Sequence, residues 1–295
     1  MSIIEKQGLV LSGKNGRYTV ECEGEIYICH SGTRVRKNDG KILAGDMVVF
    51  RDNGDGNGFI ISLLPRKNFL VRPPVANIDL LAMVVAPKDP LPYFYNIDLL
   101  SVIAEKNGIE PAIIISKSDL FDCDEILDIY RKTNLKVVIT SSEKGIGIDE
   151  AKELLSGKIS VLCGASGVGK STLINSIYPS LQLETGSLSE KIARGKNTTR
   201  TTELFRLGDN TYLADTPGFT AVNTELYCSL EPKELCSLFT EFDKFTSGCR
   251  YADCTHTKEE ECGISDAVLN NQISKSRFES YKKLYFELKS IDRYK

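Results

Sequence analysis

SVLCGASGVGKSTLINSIY, residues 160–178, decides how the rest of the chain is read. A short apolar run, SVLC, leads into GASGVGKS, which fits the G-x-x-x-x-G-K-[ST] pattern of a phosphate-binding loop, and a helical run follows. Glycines there let backbone N–H groups turn inward around a β-phosphate, while the helix N-terminus adds its positive dipole end. The nucleotide-contacting set is then Gly164, Ala165, Ser166, Gly167, Val168, Gly169, Lys170, Ser171 and Thr172. Lys170 supplies a point charge to the β/γ oxygens, and the Ser171 hydroxyl can ligate Mg²⁺. A glycine-rich turn without function is the bland alternative, and the strand–loop–helix context weighs against it.

A loop of this kind needs an acidic residue on a neighbouring strand for the magnesium shell. NTYLADTPG, ending at Gly218, provides one: Asp215 acts on the metal, and the Gly218 amide senses a γ-phosphate. Between the two elements runs LETGSLSEKIARGKNTTRTTEL, polar and poor in apolar anchors, which reads as a switch loop. Either Thr198 or Thr199 completes the Mg²⁺ shell there, and the sequence does not choose between them.

The base-reading candidate lies upstream of the loop. In PAIIISKSDL, Ser116, Lys117, Ser118 and Asp119 follow an apolar strand and resemble the N-K-x-D element of GTPases. A carboxylate at Asp119 accepts two hydrogen bonds from the guanine N1–H and amino group, a donor pair that adenine lacks. Farther on, Thr140, Ser141 and Ser142 follow the next strand and resemble the loop that touches the guanine carbonyl. All the elements of a GTPase are present in rotated order, with the base readers first and DTPG last. The chain thus looks like a circularly permuted GTPase, a rearrangement that is tolerable when the old termini lie close together. GTP/GDP and Mg²⁺ are the expected cofactors.

Around this centre, strands are predicted at 79–85, 112–115, 136–140, 159–163, 203–207 and 211–214, and helices near 95–107, 122–132, 147–155 and 170–177. Their alternation implies a parallel sheet covered on both faces. Residues 3–72 instead alternate apolar and polar side chains in short runs between turns such as RDNGDGNG, which predicts an all-β barrel of OB or SH3-like type. After about residue 224 the chain becomes helical and rich in cysteine. Near its end Phe278, Tyr281, Tyr285 and Leu288 share one helical face and are expected to pack in a core. The fold class is therefore multidomain α/β: an N-terminal OB-type β-barrel (1–72), a central circularly permuted P-loop GTPase domain (73–222) and a C-terminal helical zinc-binding domain (223–295).

CRYADCTHTKEEEC, residues 249–262, sets Cys249, Cys254, His256 and Cys262 within fourteen residues. Three thiolates and an imidazole suit one structural Zn²⁺, with no position left open for catalysis. Zinc would staple a segment too polar to build its own core. Cys22, Cys29, Cys123, Cys163, Cys228 and Cys236 read as packing residues, and His30 as a barrel residue without a role.

The net charge of −3 argues against a wholly basic nucleic-acid binder, so any RNA contact must come from local patches. Residues 1–75 hold 11 Lys/Arg against 8 Asp/Glu, which makes the N-terminal barrel the leading candidate. The N-terminus lacks the features of a signal peptide and no apolar run is long enough for a membrane span, so a cytoplasmic protein with no membrane association is expected. A monomer is the default expectation.

Barrel, permuted GTPase and cysteine-rich C-terminus together resemble the ribosome-small-subunit-dependent GTPase A family over essentially the whole chain. GKNTTRTTEL, DTPGF and CRYADCTH are the most specific pieces. The resemblance implies a GTPase acting in late maturation of the small (30S) ribosomal subunit. It further implies binding to 16S rRNA through the barrel and zinc domain, hydrolysis stimulated by the subunit, and release on hydrolysis. Two departures stand out: Ser116 where the family usually has Asn, and Asn197 where it usually has His. Phe219, where many GTPases carry a water-orienting Gln, points to slow intrinsic hydrolysis. The alternative is a nucleotide-gated RNA-binding module with negligible hydrolysis. A P-loop ATPase or small-molecule kinase is disfavoured by Asp119, and a zinc-finger DNA regulator by the acidic C-terminal segment.

Overall fold

The computed structural model describes residues 4–32, 35, 40–181, 202–215 and 230–291. The first five strands are β1 (Ile4–Lys14), β2 (Arg17–Cys22), β3 (Glu25–Ser31), β4 (Met47–Asp52) and β5 (Asn57–Leu63). They close a barrel in the order β1-β2-β3-β5-β4, with β3 and β5 parallel and β4 returning to β1. Closure with this order is the OB arrangement, and it decides against the SH3-like alternative. Alternation is the cause: Val10, Val20, Cys29, Val48, Phe50 and Ile60 turn inward and are fully buried. A two-stranded ribbon, β6 (Phe69–Leu70) and β7 (Val75–Ala76), carries the chain out of the barrel.

The second unit is a six-stranded sheet. In chain order it comprises β8 (Leu80–Val85), α1 (Phe94–Lys106), β9 (Glu110–Ile115), α2 (Asp124–Tyr130), β10 (Lys136–Ile139), α3 (Ile148–Leu155), β11 (Ile159–Cys163), α4 (Lys170–Ile177), β12 (Glu203–Gly208) and β13 (Thr211–Asp215). The sheet order is β10-β9-β8-β11-β13-β12, parallel except for the antiparallel edge strand β12. Both faces are covered, so the strands read as unbroken apolar runs, LLAMVV and EPAIII, rather than as alternating ones. The pleat sorts them: Leu81, Met83 and Val85 join the core beneath α1 and α2, and Leu80, Ala82 and Val84 the core beneath α3 and α4. Every predicted strand and helix of this unit is present, with ends shifted by no more than two residues.

The C-terminal helices are α5 (Leu235–Leu238), α6 (Gly263–Leu269) and α7 (Lys275–Ser290). Phe239, Phe242, Phe278 and Tyr281 form an aromatic cluster, with Tyr281 edge-on to Phe239. The face of α7 anticipated from spacing is inward: Phe278, Tyr281 and Leu288 are buried and Tyr285 packs against them. This cluster is continuous with the core beneath α1, so the segment borrows the sheet's core rather than building one of its own. Among the described residues no helix is long and apolar enough to cross a membrane.

Candidate functional site

The parallel strands bring the sequence elements to one edge. Val85 pairs with Ile115 and Ile115 with Ile139, so Ala86, Ser116 and Thr140 leave the sheet side by side. Cys163 pairs with Met83, and Val161 with Ala214, which sets the phosphate-loop residues and the backbone of Asp215 at the same carboxyl end. Ligands of open α/β sheets bind outside the carboxyl ends of their strands.

Gly164 begins the loop at φ +145°, where an added Cβ would lie 2.2 Å from the Val84 carbonyl oxygen. Only glycine lets the chain turn this close to the neighbouring strand. Val168 is buried as the loop's anchor, Ala165, Ser166 and Gly167 are exposed, and Gly169, at φ +95°, caps α4. Lys170 Nζ donates to the carbonyls of Gly164 (2.7 Å) and Ala165 (2.9 Å), and burial pulls its ammonium below the usual lysine range. Ser171 is buried in the first turn of α4, while Thr172 is exposed. Beneath the loop, burial pushes the Cys163 thiol up to about 12, so it stays neutral, as a packing residue should.

The two candidate base-reading elements touch. Ser141 Oγ donates to Asp119 Oδ1 at 2.6 Å, and that hydroxyl holds the Asp119 carboxyl below its usual range. Ser118 N donates to the Thr140 carbonyl at 3.2 Å, and Thr140 Oγ1 donates to the Ile115 carbonyl at 3.0 Å. Lys117 sits at φ +58° and its Nζ donates to the Asp89 carbonyl, while Ser142 is half-buried beside Ser141. Gly147, at φ +65°, closes this loop, since a Cβ there would meet the Ile139 oxygen at 1.9 Å. Ser116 spans from the base element to the phosphate loop: its Oγ lies 2.6 Å from the Val168 carbonyl and 3.1 Å from that of Val85.

Asn197, Thr198, Thr199, Gly218 and Phe219 lie outside the described residues, as does Cys228. The backbone of Asp215 ends β13, paired with Glu203.

In the C-terminal segment the ligand atoms of Cys249, Cys254, His256 and Cys262 lie within 4.8 Å of one another. His256 Nδ1 is 3.5 Å from Cys249 Sγ and 3.4 Å from Cys262 Sγ, and the two sulfurs are 4.0 Å apart. Tetrahedral Zn–S and Zn–N bonds imply N···S edges of about 3.5 Å and S···S edges of about 3.8 Å, so the set fits a zinc-sized ion. Glu259 braces the loop by accepting from Thr255 Oγ1 and from the amides of Thr255, Thr257 and Lys258.

Sequence reasoning missed three features, because each pairs residues distant in the chain. Cys236, read as packing, has its Sγ 3.3 Å from His256 Nε2. Arg277 forms a buried network with Asp98, Ser101 and Glu241. On the barrel, Arg17, His30, Phe59 and Arg51 are register neighbours across β2, β3, β5 and β4, in one exposed row.

Comparison with known proteins agrees with this architecture. The family model described as RsgA GTPase matches residues 63–225. The "Small ribosomal subunit biogenesis GTPase RsgA" of Thermotoga maritima is 41% identical over 293 residues, covering 97% of each chain. The protein of the same name from Alkaliphilus metalliredigens is 38% identical, over 98% of this chain and 99% of its own. A crystal structure of YjeQ from Thermotoga maritima superposes with a TM-score of 0.83 at 38% identity, covering 98% of this chain and 100% of that one. The crystal structure of YloQ, described as a circularly permuted GTPase, gives 0.79 at 26% identity, covering 99% and 98%. With the permuted order of its elements visible in the sheet and its relatives matched end to end, this chain is a GTPase and belongs to the RsgA GTPase family.

Proposed function

We propose that this GTPase acts in biogenesis of the small ribosomal subunit, binding 16S rRNA, with hydrolysis stimulated by the subunit and coupled to release. The observation that carries the guanine reading is the 2.6 Å bond from Ser141 to Asp119, which aims one carboxylate and fixes it in its ionised, acceptor form. GTP or GDP would be held by Gly164–Thr172 at the phosphates, and by Ser116–Asp119 and Thr140–Ser142 at the base. Ser171 and Asp215 would hold Mg²⁺, which supplies charge neutralisation between phosphate oxygens when bound. Lys170, Gly218 and Thr198 or Thr199 complete the assignment. Ser116 ties the base element to the phosphate loop through its hydroxyl, 2.6 Å from the Val168 carbonyl. Ser116→Ala should therefore weaken GTP binding about fivefold, the effect of one net hydrogen bond. An unchanged affinity would remove that role.

For rRNA, the exposed row on the barrel supports the reading. A base can stack on Phe59 while Arg17, Arg51 and His30 face the backbone, chemistry suited to unpaired RNA. Phe59→Ala and Arg51→Ala should each lower affinity for the subunit and spare GTP binding. Units 1–72, 73–222 and 223–295, one structural Zn²⁺ on Cys249, Cys254, His256 and Cys262, a monomeric state and a cytoplasmic location complete the proposal.

The deciding experiment is GTP hydrolysis by the purified protein with and without small subunits, with ATP and large subunits as controls. Large stimulation specific to GTP and the small subunit is the expected result. GTP-dependent binding without added turnover would make the protein a nucleotide-gated binding module. Lys170→Ala should lose nucleotide binding and hydrolysis together, and Asp119→Asn should exchange GTP for xanthosine triphosphate.

A further inference from the structure

His256 is the one imidazole in the cysteine cluster, and its two nitrogens face different partners. Nδ1 points at the Cys249 and Cys262 sulfurs, 3.5 and 3.4 Å away, and Nε2 points at Cys236 Sγ, 3.3 Å away. Cys236 comes from α5, thirteen residues before Cys249, and stands apart from the four ligand atoms that cluster within 4.8 Å. The imidazole ring lies between it and that cluster, so its sulfur cannot reach an ion that Nδ1 faces.

We propose that Cys236 is a positioning residue for the metal site, accepting the Nε2–H of His256 and thereby fixing the tautomer and ring orientation that present Nδ1 to zinc. The inference rests on the zinc reading above. A neutral imidazole carries one proton, and a metal at Nδ1 requires it on Nε2. Buried, that N–H needs an acceptor, and metal-bound histidines commonly donate their second N–H to a carboxylate, carbonyl or water. Here the atom within reach is a thiol sulfur. His256 sits at φ +55°, a left-handed conformation in which histidine is enriched among non-glycine residues. Neighbouring contacts set the backbone: Tyr281 donates to the Thr255 carbonyl at 2.9 Å. That bond places the loop, and the contact with Cys236 acts beside the Tyr281 ring in orienting the imidazole.

The test compares full-length wild type with Cys236→Val, which keeps volume and removes the acceptor, and with Cys236→Ser, which keeps an acceptor. Zinc affinity is read by competition with a chromophoric chelator, and the number of thiolates by the charge-transfer absorption of the cobalt(II)-substituted protein. Loss of an outer partner of this kind typically costs 10–100-fold in metal affinity. That range is expected for Cys236→Val, with Cys236→Ser nearer wild type and a three-thiolate cobalt spectrum throughout. ¹⁵N NMR of zinc-loaded wild type should show His256 protonated at Nε2 and metal-bound at Nδ1. This measurement, with the serine variant, decides the matter even if Cys236→Val does not fold. Equal zinc affinity in all three proteins, or metal on Nε2, would overturn the role of Cys236 and leave the zinc site standing. A cobalt spectrum that loses a thiolate in Cys236→Ser would overturn it too, by making Cys236 a ligand. Wild type that binds no zinc would sink the zinc reading and this inference together.

Discussion

The barrel and the C-terminal segment rest on the same sheet and grip it by different means. The barrel meets the edge strand β12 along a narrow seam. Leu9 and Leu11 of β1 belong to one apolar cluster with Leu204 and Tyr212, and Glu21 takes Arg206 Nη1 at 2.9 Å and the Tyr212 hydroxyl at 3.1 Å. The C-terminal segment joins the same apolar cluster through its aromatic residues. It then buries a cation among carboxylates, with Arg277 bonded to Glu241 at 2.6 Å and to Asp98 and Ser101 at 2.9 Å. Both contacts are apolar at their centre, but the C-terminal one buries its cation, Arg277 being 2% exposed, where the barrel's Arg206 is 42% exposed. The comparison teaches that both segments lean on the sheet's apolar core and differ in how deeply the charged contact beside it is buried.

The largest expected effect tests the shared core. Arg277 and Asp98 are 2% and 1% exposed, and Arg277 also lies 4.4 Å over the Phe239 ring. Burial drives the Asp98 carboxyl above its usual range, with Arg277 pulling it back, so the pair depends on mutual compensation. Arg277→Met leaves carboxylates buried without a cation and should cost about 3–5 kcal/mol in denaturant unfolding. Replacing Arg277, Asp98 and Glu241 together by apolar residues of similar volume should recover most of that loss. If Arg277→Met shifts the unfolding midpoint no more than an exposed substitution does, the shared-core reading fails.

The barrel seam should respond less. Arg206 is 42% exposed over a Glu21 that is 6% exposed, and removing the cation leaves Glu21 the Tyr212 hydroxyl. Solvent screening keeps the expected cost of Arg206→Met near 1 kcal/mol. Its signature is local: faster amide exchange in β12 and along β2, with exchange in β8 and β9 unchanged. Protection lost across the whole sheet would show that the barrel is as integral as the C-terminal segment.

Legibility in the sequence followed another line, between local patterns and contacts made across the chain. The sheet, the strand–loop–helix at residues 160–177 and the adjacent turns at 116–119 and 140–142 were readable because each is a local pattern: an apolar strand, then a turn rich in glycine or polar side chains. Chain order alone revealed the permutation. Cys249, Cys254, His256 and Cys262 were readable for the same reason, being close together in the chain. Cys236, Arg277 and the row through Phe59 were not, since each takes its meaning from partners that the fold supplies. Cys236 precedes His256 by 20 residues, Arg277 follows Asp98 by 179, and the row exists only through strand register. A lone cysteine, an arginine in a helix and an aromatic in a strand look ordinary until those neighbours are known. Ser116 lies between the two cases: its departure from the usual Asn is visible, but its bond to Val168, 52 residues on, is not.

The smallest effect sharpens what holds the C-terminal segment. Lys106 at the end of α1 pairs with Glu234 at 2.5 Å, across the same seam that Arg277 closes, but the two side chains are 33% and 25% exposed. Charge and distance resemble the buried contact; hydration differs. In partial solvent the Coulomb gain is screened, and two long side chains give up rotamer freedom to meet, so such pairs contribute about 0.2–1 kcal/mol. Lys106→Met should therefore shift stability by less than 1 kcal/mol, and raised salt should erase the difference from wild type. Arg277→Met should keep its deficit in the same salt, because ions do not reach it. A salt-insensitive loss at Lys106 equal to that at Arg277 would mean that the ion pairs act as one network along α1, and that burial is not what separates them.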